Sequence, residues 1–245
     1  MPAGTAARPR SRTRNAELPA GLQTAAAIWQ PGSTGRSTDT PSNPHPLREL
    51  LATPGVAQEW FESGSPIGGP GGGGVTLFAG LTHQTRPASV FWIGRGCRPY
   101  GRGLPRELAR RSVHLDIDAA ADRLWALETV ARCAAEPDAP PLAILADGTG
   151  FDRVATRRLQ LAARSPRVTL ILLRPQPERD QLSTAGLRWL LQPIASGHAP
   201  SWSVELLRNK TGRHAATGTL RLRAEPDHLA LTTPPVPPQP LRLSG

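Results

Sequence analysis

The sequence predicts an α/β fold, a mostly parallel central β-sheet with helices on its faces. Short, apolar-rich runs such as 142–146 (LAILA) and 168–173 (VTLILL) have the length and composition of strands buried on both faces. Between them lie stretches with apolar residues at helical spacing. Alternation of the two is the pattern of strand–helix–strand crossovers, which a parallel sheet requires.

Along the chain, residues 1–45 are rich in Ala, Arg, Ser, Thr and Pro without sustained periodicity, and they read as a disordered tail. Residues 46–62 carry Leu47, Leu50, Leu51, Val56, Trp60 and Phe61, and they read as one or two short helices. A glycine run, GGPGGGG at 68–74, leads into an expected strand at 75–78. Further strands are expected at 90–93, 113–117, 142–146, 168–173, 187–194 and 203–207. Helices are expected at 119–134, on the spacing of Leu124, Leu127, Val130 and Ala131, and at 152–164, on Val154, Leu159 and Leu161. Beyond 215 the apolar content thins, and 234–240 (PPVPPQP) reads as polyproline II. The expected organisation is therefore a disordered tail at 1–45, an α/β domain at 46–214 and a Pro-rich extension at 215–245.

Composition narrows the chemistry. Of 29 basic side chains in 245 residues only Lys210 is a lysine, and 19 acidic residues leave a net charge of +10. The domain at 46–214 holds 21 basic and 15 acidic residues, an excess of six, so the tails do not carry all of it. A phosphate loop of the GxxxxGK[ST] type needs a lysine directly after glycine. Lys210 follows Asn209, so no such loop exists. With the glycines ahead of the strand at 75–78, the next turn is 79–84 (AGLTHQ), which also lacks a lysine. Glycine and proline supply 51 residues, a high share that fits disordered segments. Cys97 and Cys133 are too few for a disulfide framework and lack metal-ligand spacing. No apolar run is long enough to span a membrane, and no signal-peptide pattern opens the chain, so a cytoplasmic location is expected. There is no GxSxG elbow, and the six histidines show no ligand spacing. No catalytic residue, metal or cofactor is indicated.

Two features invite a functional reading. Asp147 closes the apolar run 142–146, as a Walker B aspartate does when it orients Mg²⁺ through water. The alternative is an aspartate that caps the turn DGTGFD. Residues 86–111 hold seven arginines and one acid, Glu107, with Trp92 and Tyr100 among them. Arg95, Arg98, Tyr100, Arg102 and Arg106 are the candidates there. Such a cluster suits phosphates and stacked bases, the acidic face of a protein partner, or a solvated loop.

The order of segments then resembles a known family. VFWIG (90–94), VHLDIDAAADRLWALETVARC (113–133), LAILADGTGFD (142–152), VTLILLRPQP (168–177), LSTAGLRWLLQPI (182–194) and WSVELLRNKTGR (202–213) are similar to the core of RecA-type recombinases. They resemble more closely the ImuA branch, accessory proteins of a translesion-synthesis cassette. The resemblance covers about 90–213, half the chain. It implies a RecA-like core in which Asp147 matches the Walker B position. It implies that 168–174 leads into a DNA-binding loop, with 182–189, including Arg188 and Trp189, at the shortened loop's far end. Arg208, Asn209 and Lys210 resemble the segment that reaches a neighbouring subunit's nucleotide. Two departures stand out. Walker A is missing, and the strand at 90–93 ends in Gly94-Arg95 where a RecA ATPase carries its catalytic glutamate. The resemblance therefore implies a non-catalytic adaptor in SOS-type DNA damage tolerance. Its implied partners are RecA, an ImuB-like polymerase homologue and an error-prone DNA polymerase. The alternatives are a divergent ATP-binding protein using 80–82 and Asp147, and a direct DNA-binding module in recombination or repair.

Overall fold

The apolar runs pair into one mixed sheet, with nine strands among the described residues. The computed structural model describes residues 46–63, 72–99, 104–136, 138–194, 200–212, 218–224 and 229–232. The expected disordered segment at 1–45 and the polyproline stretch at 234–240 lie outside them. The elements in chain order are α1 (Pro46–Leu51), β1 (Ala57–Glu62), α2 (Gly72–Thr85), β2 (Ser89–Ile93), α3 (Arg106–Arg110), β3 (Ser112–Leu115) and α4 (Ala120–Cys133). Then come β4 (Leu142–Asp147), α5 (Arg153–Ala162), β5 (Val168–Pro175), β6 (Leu187–Ile194), β7 (Ser201–Asn209), β8 (Thr219–Ala224) and β9 (Leu229–Thr232).

The sheet order is β3-β2-β4-β5-β1-β6-β7-β8-β9. Strands β3 to β6 in that order are all parallel. Strands β7, β8 and β9 add on antiparallel. The α/β sheet expected from the sequence is thus present, and it is mostly parallel. From the central β1 the chain steps outward to β2 and β3, then returns through β4 and β5. Crossovers of one hand change face when the direction of travel reverses. Accordingly α2 and α3 cover one face, and α4 and α5 the other. The first core joins Leu50, Leu77, Phe78 and Leu108 to Trp60, Trp92, Trp189 and Val204. The second joins Leu127, Ala131, Ala155 and Leu159 to Ile93, Ile144, Leu170 and Leu172.

Two elements differ from the sequence reading. Residues 57–62 form β1 rather than a second short helix. Both faces of β1 are buried, yet it carries Gln58 and Glu59 at its centre, both fully buried. Gln58 donates to the Leu51 carbonyl at 3.1 Å and accepts from Trp189 Nε1 at 3.0 Å. Because Trp189, Arg174 and Arg188 come from distant segments to partner them, these polar residues hide the strand from any local pattern. The second difference is at 75–78, which lies inside α2 and not in a strand. Val75, Phe78 and Thr82, with Leu77 and Leu81, form one buried helical face. Thr82 returns its hydroxyl to the Phe78 carbonyl at 2.9 Å, which satisfies the buried oxygen.

The sheet also runs on past residue 214. Leu220 and Leu222 of β8 alternate with exposed Thr219 and Arg221 and bury in the first core.

Candidate functional site

Ligands of open parallel sheets bind at the carboxyl ends of the strands. At that end β1 stops at Glu62, β4 at Asp147 and β5 at Pro175. Helix α2 begins after β1, and its first three residues are Gly72, Gly73 and Gly74. The glycine run therefore follows a central strand and opens a helix. This reverses the order read from the sequence and is the order a phosphate loop uses. Residues 64–71 lie outside the described residues.

What stands at the start of α2 decides its chemistry. A helix N-terminus presents unpaired N–H groups and the positive end of the helix dipole, and so attracts an anion. Here the Glu62 carboxylate of the same chain accepts a hydrogen bond from the Gly74 N–H. A Cβ on Gly73 would lie 2.5 Å from Trp202 Nε1, and one on Gly74 would collide with Leu173. A side chain at either position would have to move Trp202 of β7 or Leu173 of β5, which pack against the start of the helix. The anion position is filled from within the chain.

Asp147 faces the same corner. Its Oδ1 accepts from the Thr149 N–H at 2.9 Å, the turn-capping arrangement. Arg123, 6% exposed, donates to the backbone carbonyls of Asp147 and Thr149 at 2.9 Å each and to that of Asp118. Its Nη1 lies 4.0 Å from Asp147 Oδ2. Gly94, at φ +94°, lets the end of β2 approach, since a Cβ there would sit 2.8 Å from that of Asp147. Cys97 is fully buried beside these groups. Burial pushes its thiol pKa well up, and Asp147 and Glu62 push it further. Among the described residues no three His, Cys, Asp or Glu side chains gather into a metal-ligand set.

The arginine cluster at 86–111 is largely engaged. Arg95 Nε pairs with Asp118 at 2.9 Å and Asp116 at 3.5 Å, and Arg98 pairs with Asp116 at 3.2 Å. These acids sit on the segment after β3, which parallel pairing places beside the end of β2. Arg110 pairs with Glu107 at 3.0 Å. Arg111 donates to the carbonyls of Pro87 and Thr82, tying the end of α2 to the entry of β2. Arg106 is exposed at the start of α3. Tyr100 and Arg102 lie outside the described residues.

The remaining candidates lie at the opposite end of the sheet, where β6 begins and the antiparallel β7 ends. Trp189, expected at a DNA or partner contact, is instead fully buried in the first core. Arg188 is 8% exposed and donates to Glu59 at 2.7 Å, its guanidinium 4.7 Å from the Phe61 ring centroid. Burial of these two side chains corrects that expectation, because neither can reach a partner's surface. Arg208 faces Arg188 across a β-bulge and donates to the Ser183 carbonyl at 2.9 Å. Its pKa is lowered by burial and then by Arg188. Lys210 is exposed, and its backbone N–H donates to the Gly186 carbonyl at 2.8 Å. The structure therefore brings Arg188, Arg208 and Lys210 together but sets them apart from Asp147 and Arg95. Sequence reasoning missed Glu62, Gly73 and Trp202. The one local signal was an acid closing an apolar run (EWFE) just ahead of the glycines.

No helix among the described residues is long and apolar enough to cross a membrane. No protein-family model matches the chain, and no curated protein matches it.

Proposed function

We propose that this chain is a non-catalytic, RecA-like adaptor in DNA damage tolerance, of the ImuA kind. It works by binding a polymerase homologue, RecA and an error-prone polymerase rather than by turning over nucleotide. The observation that carries the reading is the start of α2. It follows the central strand β1 as a phosphate loop would, yet Glu62 takes the amide of Gly74, and Trp202 and Leu173 press on the glycines. An incoming phosphate would have to displace a carboxylate of like charge from the Gly74 amide. The chain also offers no lysine there to draw it in. The segment order from 90 to 213 supports the family reading, and the mostly parallel sheet is compatible with it.

Titration of the purified chain with ATP and Mg²⁺ tests the first half. The expected result is no saturable binding at millimolar nucleotide, and saturable binding at micromolar ATP would establish the divergent-ATPase alternative instead. Co-purification with an ImuB-like protein or RecA, and loss of damage-induced mutagenesis on deletion, test the second half. Binding to neither, with mutagenesis unchanged, would overturn the adaptor reading.

A further inference from the structure

The outward surface of α4 and α5 combines features that the strand ends do not use. Trp125 is 67% exposed, Val154 65% and Leu161 48%. Both helices follow parallel strands and cover the same sheet face, so they run side by side in the same direction. They are locked in register by Arg158, which donates to Glu128 at 2.6 and 2.7 Å. Trp125 lies about one turn before Glu128 and Val154 about one turn before Arg158. That sets Trp125 level with Val154. By the same count Arg132 is level with Leu161. Trp125 and Val154 thus sit at one level of the seam and Leu161 at another, with the Glu128–Arg158 pair between them. Exposed Arg132, Arg153, Arg157 and Arg164 surround the seam.

None of these four arginines has an ion-pair partner among the described residues. The acids near them are Glu128, already paired with Arg158, together with Asp122, Glu136 and Asp152. Asp152 caps the first turn of α5 by accepting from the Ala155 N–H at 2.7 Å. The face is thus both apolar and in excess of positive charge.

We propose that the α4–α5 face docks an acidic amphipathic segment of a partner protein. Its apolar side chains would cover Trp125, Val154 and Leu161, and its carboxylates would meet Arg132, Arg153, Arg157 and Arg164. Charge complementarity selects that partner, since the segment supplies what the face lacks. An exposed Trp with arginines on the adjoining helix is the composition of an interface anchor. A nucleic-acid backbone fits less well, because phosphates leave the Val and Leu side chains against charge and water. The proposal does not depend on the adaptor reading, because none of these residues touches the start of α2.

Fluorescence anisotropy on the full chain tests it, with a labelled helical peptide probe bearing Leu and Phe on one face and Glu on its flanks. Controls are the same peptide scrambled and a single-stranded DNA oligonucleotide. The patterned peptide is expected to bind saturably and more tightly than the scrambled one. Trp125→Ser should weaken it about tenfold, and Leu161→Ser and Arg157→Glu about fivefold each. These positions are exposed, so the melting temperature should stay within a degree or two in all three variants. No binding of the patterned peptide, equal binding of the scrambled one, or equal affinity of variants and wild type overturns the proposal. So does a DNA affinity that falls with Arg157→Glu while the peptide is unaffected.

Discussion

Arg174, completely buried, uses its guanidinium to join four segments. It donates to Glu59 at 2.6 Å, to Glu178 at 2.9 Å, to Gln181 at 2.7 Å and to the Phe151 carbonyl at 2.9 Å, and its Nη2 lies 2.7 Å from the Glu178 carboxylate. Glu59 is also fully buried and holds Arg188 through its other oxygen. A buried ion network contributes little net stability when intact, but removing one member strands a charge away from water. Arg174→Met is therefore expected to cost about 3–5 kcal/mol, read as a lower urea midpoint at an unchanged m-value. A loss below about 1 kcal/mol would mean that water or Arg188 compensates Glu59 in full. The two thiols should differ just as sharply. Cys97 is buried with a raised pKa, whereas Cys133 is exposed. A thiol-reactive chromophore should label one cysteine in the folded protein and the second only on unfolding. Prompt labelling of both would mean that the 95–97 turn opens readily.

At the scale of elements, the start of α2 makes a claim about side-chain size. Gly73→Val must displace Trp202 and is expected to lower stability by about 1–3 kcal/mol. Gly72→Val is the control, since no atom outside its own helical turn and chain neighbours lies within 4 Å of a Cβ there. Thermal unfolding of the two variants side by side measures the difference, and equal melting temperatures would contradict the packing at Gly73. The same element explains what local patterns could convey. Strands β4 and β5 were legible because each carries an unbroken or nearly unbroken apolar run, and α4 and α5 because apolar residues recur at helical spacing, although Val154 and Leu161 of α5 prove to be exposed. Strand β1 was not, because Gln58 and Glu59 find partners in Trp189, Arg174 and Arg188, all more than 100 residues away. Helix α2 was not, because three glycines at its start suppress helix propensity and leave VTLF to pass for a strand.

For the whole molecule, the sheet's reach past 214 has a direct consequence. Leu220 and Leu222 are each 1% exposed and pack in the first core with Trp202 and Val204. Truncation after residue 214 would uncover that core and open a long edge on β7. The shortened chain is expected to aggregate or to lose its cooperative unfolding transition, and a soluble truncation with an unchanged melting temperature would refute this. The sequence by itself determined the α/β class, since apolar strands and periodic helices each announce themselves through their own residues. It also determined the lack of a phosphate lysine, which is a matter of composition. Only the tertiary structure decided that β1 lies at the sheet centre, that the glycines open a helix behind it, and that Glu62, Leu173 and Trp202 fill the space in front of them. Those outcomes depend on contacts between residues far apart in the chain, and no local pattern of polarity encodes which distant group will neutralise a buried charge or press on a bare helix end.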